Sequence, residues 1–174
     1  MTLLVQYTLI FASVLALVAL GGCFSEHSGV INIGLEGIMV MGALGGALAM
    51  KFIPASTPGI VLFILIVLTS VLVGMVFSLF LGVAAIHFNA DQTLVGTALN
   101  LMGTAAAVVI VRAINVAENP DNVSSTVVYR QAKQVFLVKI GDFEFNWFML
   151  LVVLAIIASH VVLYKTKFGL RLCA

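Results

Sequence analysis

The chain has 174 residues, 63% of them hydrophobic and 9% charged, with a formal net charge of +1. Soluble domains carry about 25% charged residues, so the composition describes an integral membrane protein. No basic cluster offers a phosphate footprint, which excludes nucleic acid as a partner.

Five apolar segments follow one another, over residues 3–21, 30–50, 59–86, 93–111 and 147–164. About 20 residues at 1.5 Å each cross a ~30 Å hydrocarbon core, so the first is long enough to span. It ends in Leu20-Gly-Gly-Cys23, which imitates a lipoprotein cleavage site. A secretory signal needs a positively charged start, yet no Lys or Arg precedes Lys51. Cys23 and Cys173 are far apart and suggest neither a metal site nor a disulfide.

The second segment is unusual. Ser25-Glu-His-Ser-Gly-Val-Ile-Asn-Ile-Gly-Leu-Glu36-Gly-Ile-Met sets two carboxylates, a histidine and an asparagine in a region otherwise fit for hydrocarbon. This pattern predicts the opening of a short or broken transmembrane helix. If the stretch is helical, Ser28, Asn32 and Glu36 stack on one face. A carboxylate at the bilayer centre costs at least ~2.5 kcal/mol, so Glu36 is buried against donors, protonated, facing water, or at the interface.

Lys51-Phe-Ile-Pro-Ala-Ser-Thr-Pro58 reads as a turn, because its two prolines cannot continue a helix. The third segment exceeds a bilayer crossing and must tilt, protrude or bend. Its stripe Ser70, Gly74, Ser78, Gly82 and the GxxxG of Gly42–Gly46 read as surfaces for close helix packing. After the polar break His87–Gln92, Thr93, Thr97, Asn100 and Thr104 repeat at helical spacing, with Gly96 and Gly103 on the neighbouring strip. That stripe serves either packing or a polar path.

Residues 112–146 form the one sizeable polar region, with Asn119-Pro-Asp-Asn as a turn. Val127-Val-Tyr and Val135-Phe-Leu-Val are β-prone and Ile140-Gly-Asp-Phe resembles a tight turn, so a small hairpin or an amphipathic piece is expected there. Basic residues are nearly as dense in this loop as in the tail after Tyr164, and charge leaves orientation open. Glu26, His27, His87 and His160 are the candidates for acid–base or metal chemistry. Without HExxH, GxSxG or a Walker sequence, no enzyme is expected, and any ATP must be used by a partner.

Three stretches together resemble one family. They are Phe24-Ser-Glu-His-Ser-Gly-Val-Ile-Asn-Ile-Gly-Leu-Glu-Gly-Ile-Met-Val-Met-Gly-Ala43, Asn89-Ala-Asp-Gln-Thr-Leu-Val-Gly-Thr-Ala-Leu-Asn100 and Tyr164-Lys-Thr-Lys-Phe-Gly-Leu-Arg-Leu172. In this order they are similar to the membrane permease subunits of ABC importers for branched-chain amino acids, ribose and nucleosides, above all the nucleoside and simple-sugar branch. The resemblance implies an all-α polytopic membrane domain over residues 1–174 with about five spans, in the cytoplasmic (inner) membrane. It implies an outer N-terminus, an external loop at 112–146 and a cytoplasmic docking segment beginning at 165–174.

The resemblance also implies function. The chain would act in an ATP-driven importer of nucleosides or related solutes, binding no cofactor itself. Its partners would be an ATP-binding subunit, a second permease subunit and an external substrate-binding lipoprotein. Asn32, Glu36, Thr97 and Asn100 are the candidate path residues, and Phe168, Gly169 and Arg171 the candidate ATPase-docking residues. Members of the family are longer, so a fragment or truncated product is expected. The alternative is a self-contained channel or secondary transporter whose polar stripes line a pore. A membrane scaffold with no solute path is a third.

Overall fold

A computed structural model describes residues 2–29, 31–54, 56–127, 137–140, 143–167 and 169. The elements in order are α1 (Thr2–His27), α2 (Leu35–Phe52), α3 (Gly59–His87), α4 (Gln92–Glu118), β1 (Leu137–Ile140), β2 (Phe143–Asn146) and α5 (Trp147–Lys165). By length and hydropathy, α1 to α4 can each cross a bilayer, whereas the apolar stretch Met149–Lys165 of α5 is shorter. Most large apolar side chains of α3, among them Leu68, Leu72, Val76 and Phe80, are exposed, as expected of a helix surrounded by lipid.

Helix ends differ from the limits of the apolar runs. The stretch Ser25–Met39 straddles two helices: α1 continues to His27, a non-helical link follows, and α2 begins at Leu35. Gly29 adopts φ +75°, a conformation that turns the chain out of α1. Ser28, Asn32 and Glu36 therefore do not share a helix face. Likewise α2 runs through Lys51 to Phe52, and the turn starts after it.

At its far end α4 continues past Arg112 to Glu118, into the stretch read from sequence as loop. Ala113-Ile-Asn-Val-Ala sustains the helical pattern, and the stop comes from Pro120. The residue before a proline is driven from the helical region, and Asn119 is extended at φ −148°, ψ 111°. At its start Asp91 caps α4, its Oδ1 accepting from the N–H of Thr93 at 2.8 Å and of Leu94 at 3.4 Å.

The polar region holds a two-stranded antiparallel hairpin, one of the two forms expected for this stretch, and the other elements are helical. Its register pairs Leu137 with Asn146 and Ile140 with Phe143, flanking the expected turn. Gly141 and Asp142 themselves, Val135 and the Val128–Tyr129 part of the first β-prone run lie outside the described residues. The second strand is Phe143–Asn146.

The chain divides into two compact units, Met1–Asn32 with Phe136–Ala174, and Ile33–Val135. In the first, α1 packs on α5 and β2 lies against α1. The His27 ring meets the edge of Tyr164 with centroids 6.0 Å apart. Both residues stand at the C-terminal ends of their helices, and β2 leads into α5, so α1 and α5 run parallel.

In the second unit α2 touches both α3 and α4. A Cβ on Gly45 would lie 2.8 Å from Val73 Cγ2, and one on Gly46 would overlap Ser70 Oγ. On its other side a Cβ on Gly37 would lie 2.6 Å from the Leu99 carbonyl oxygen, and one on Gly103 2.9 Å from Gly37 Cα. Backbones approach this closely only where side chains are missing. The core beside this crossing is Phe77, Leu81 and Leu99, with Ile38, Met41 and Val95 packed on it. The Ser70 stripe packs only in its first half: Ser78 bonds its own helix at the Met75 carbonyl, and nothing lies within 4 Å of a Cβ on Gly82.

These contacts separate two substitutions of one kind. Gly37→Ala forces its methyl against backbone and should cost about 1–3 kcal/mol by overpacking. Gly82→Ala meets open space and should gain up to about 1 kcal/mol from helix propensity. Thermal unfolding of both variants in detergent reads the difference; equal melting temperatures would contradict the packing described.

Candidate functional site at the start of the second helix

A helix begins with backbone N–H groups that have no partner in the helix itself. In α2 the capping position is Gly34, whose lack of a side chain leaves those donors uncapped locally. Asn100 of α4 supplies the missing acceptor: its Oδ1 receives the Gly37 N–H at 2.7 Å. Its Nδ2 donates to the Ile33 carbonyl at 2.9 Å. One amide thus holds both sides of the turn that opens α2. The amide reaches because Gly96 and Gly103 flank it, and a Cβ on Gly96 would lie 2.9 Å from the Gly34 nitrogen.

The other expected path residues are placed differently. Glu36, in the first turn of α2, is exposed and has no hydrogen-bond or ion-pair partner among the described residues. An acidic group there lies favourably at the positive end of the helix dipole. Thr97 is exposed, and its hydroxyl bonds the Leu94 carbonyl of its own helix at 2.9 Å. Thr104 does the same with the carbonyls of Asn100 and Leu101. Asn32 precedes the turn; its Oδ1 is buried and has no partner among the described residues. A buried acceptor left unpaired costs about 1–3 kcal/mol.

The geometry therefore brings Asn100 onto the chain between Ile33 and Gly37, and does not bond it to Asn32, Glu36 or Thr97. The buried strip of α4 is Gly96, Leu99, Gly103, Val111 and Asn115, while the threonine strip is exposed. Among the docking candidates, Phe168 and Arg171 lie outside the described residues, and a Cβ on Gly169 would overlap the Leu163 carbonyl.

A polar cluster absent from the sequence reading closes the other end of the same helix pair. Asn115 is 3% exposed. Its Nδ2 donates to the Ser124 and Thr126 carbonyls at 2.8 and 3.0 Å. Its Oδ1 accepts from Lys51 Nζ at 3.4 Å, and Lys51 pairs with Glu118 at 2.9 Å. The signal available in the sequence was an asparagine inside an apolar run that continues as helix beyond Arg112.

His27, His160 and Tyr164 gather in the first unit, with the His160 and Tyr164 rings 5.1 Å apart. Among the described residues no group of three or more His, Cys, Asp or Glu is arranged to hold a metal ion.

Four helices able to cross a bilayer and an uncapped helix start held by an intramembrane amide define a multi-pass membrane protein. A family model described as the branched-chain amino acid transport system permease component matches residues 4–174, and the chain belongs to that family. It is 36% identical to the guanosine ABC transporter permease protein NupQ of Bacillus subtilis, over 99% of this chain and 55% of that protein. It is 33% identical to the nucleoside ABC transporter permease protein NupC of Lactococcus lactis, over 98% of this chain and 54% of that one. A shorter match, 51% identical, joins 25% of the chain to 13% of the putative glucose ABC transporter permease protein TsgC13 of Haloferax volcanii. The chain thus spans about half the length of the nucleoside relatives it matches. No solved structure matches it significantly.

The Asn100 bridge makes a specific prediction for stability. Asn100→Ala leaves the Gly37 N–H and Ile33 carbonyl unpaired and should destabilise the fold by about 1–3 kcal/mol. Asn100→Asp retains an acceptor for Gly37 but turns an oxygen toward the Ile33 carbonyl, and should be at least as harmful. Detergent melting curves check this; an aspartate variant as stable as the parent would contradict the donor role of Nδ2.

Proposed function

We propose that the chain supplies part of the membrane-spanning permease subunit of an ATP-driven importer of nucleosides. The observation that carries this reading is the 36% identity to a guanosine permease across 99% of the chain. The same reading takes an ATP-binding subunit, a second permease subunit and an external substrate-binding lipoprotein as partners. ATP is handled by the partner subunit, and this chain lowers the barrier for a polar solute to cross hydrocarbon.

The chain path supports five crossings of alternating direction, α5 included. Helices α1 and α5 run parallel, as the first and fifth of an alternating series must. Five crossings put the two ends on opposite sides, and the likeness to ABC permeases is what supports an outer N-terminus, an inner C-terminus and a polar region that faces the binding protein. In this reading Phe168, Gly169 and Arg171 begin the surface that docks on the ATP-binding subunit.

Solute recognition belongs at the start of α2. Glu36 and Thr97 are exposed, and the Asn32 Oδ1 has no partner among the described residues. Such groups can exchange hydrogen bonds with a nucleoside's hydroxyl and amine groups, while Asn100 holds the start of α2, with Glu36 beside it, against α4. Binding that differs between inward-open and outward-open states is what lets solute and ATP bias the cycle.

The assembled transporter in a host lacking nucleoside uptake tests this with labelled guanosine. Asn32→Ala, Glu36→Gln, Thr97→Ala and Asn100→Ala should each lower uptake by about tenfold, the equivalent of one lost hydrogen bond, with membrane insertion intact. Normal uptake in all four rejects the site. Uptake that persists without the ATP-binding subunit rejects the importer in favour of a self-contained transporter.

A further inference from the structure

We propose that α2 and α4 move as one rigid body, locked at both ends, so that the seam between them never opens to solute. The inference rests on the transport reading above and says which boundary within Ile33–Val135 is closed to the path. Two unrelated clamps carry it, one near each end of α2.

At the first clamp the Asn100 amide bonds the Gly37 N–H and the Ile33 carbonyl at 2.7 and 2.9 Å. The glycine contacts allow no slack there, because Gly103 lies against the backbone of Gly37 and Gly96 against that of Gly34. At the second, Lys51 from the last turn of α2 reaches both Asn115 and Glu118 of α4. Gly37 and Lys51 lie 14 residues apart on α2, about 21 Å at 1.5 Å each, so the clamps are separated by roughly two-thirds of a hydrocarbon thickness. A hinge at either end would break the polar bonds at the other.

The second clamp is built for retention. The Lys51 side chain is 12% exposed against 57% for Glu118, so the ammonium is the buried partner and depends on α4 for its counter-charge. Asn115 uses both amide protons on the Ser124 and Thr126 carbonyls while accepting from Lys51. Splaying the helices would strand a buried ammonium and a buried amide together. The α2–α3 contact, by comparison, rests on packing of Gly42, Gly45 and Gly46 against Thr69, Ser70 and Val73.

Two measurements on the assembled transporter decide the matter, both in a background carrying Cys23→Ser and Cys173→Ser. In the first, Lys51→Cys with Glu118→Cys is joined by a short, reducible bifunctional thiol reagent. Guanosine uptake should stay within twofold of that before cross-linking. Uptake lost on cross-linking and regained with reductant overturns the proposal.

The second measurement uses spin labels on the exposed positions Ala43→Cys of α2 and Ala105→Cys of α4. Their distance should be the same with and without ATP, and the added change Asn115→Leu should broaden it. A shift of about one helical turn, ~5 Å, between nucleotide states overturns the proposal. A preparation with no uptake before cross-linking counts against the nucleoside importer, whereas the label distance still decides whether the pair is rigid.

Discussion

A helix start inside an apolar environment has donors that lack partners in the helix, and in this protein an asparagine from a neighbouring helix takes one of them, the Gly37 N–H. The Asn100 amide is possible only because α2 and α4 meet at glycines, and the glycines are tolerable only because the amide fixes where the helices meet. Each half of the arrangement makes the other affordable. Hydrogen bonds between membrane helices contribute about 0.6 kcal/mol on average, less than the cost of leaving the Gly37 N–H and the Ile33 carbonyl unpaired away from water. The value of Asn100 therefore lies in what its absence would expose.

Position follows from that bond. With Gly37 anchored, the backbone of Ile33 and Gly34 lies against α4, and Glu36 stays exposed. Polar residues in this chain thus fall into two kinds. Asn100, Asn115 and Lys51 have their capacity spent on protein, whereas Glu36 and the Asn32 Oδ1 have no partner among the described residues.

Much of this was legible from hydropathy alone, because a run of apolar residues has one stable backbone solution in lipid. The packing role of Gly42–Gly46 was legible for the same reason. Helix ends were not. Arg112 looked like a boundary because charge usually marks the interface, yet the backbone obeys Pro120 and not the charge. Asn115 was hidden by that misplacement, and its partner Lys51 by its position in an apparent turn. Asn100 stood out as polar, but whether it faced a path or a neighbouring backbone depends on a contact 63 residues away, which no local pattern encodes. The nucleoside reading came from resemblance to relatives, since no spacing of side chains spells a solute.

The contact between Gly37 and Gly103 also bears on how such a protein can change over time. Every replacement of glycine adds at least one carbon, so this crossing has no conservative neighbour in sequence space. A variant there must shift a whole helix or be lost, and a compensating change in the facing helix cannot make room, because that helix already presents bare backbone. Lineages can therefore vary the exposed faces of α3 and α4 freely while the seam stays put, and a gain of new specificity would have to be built around it.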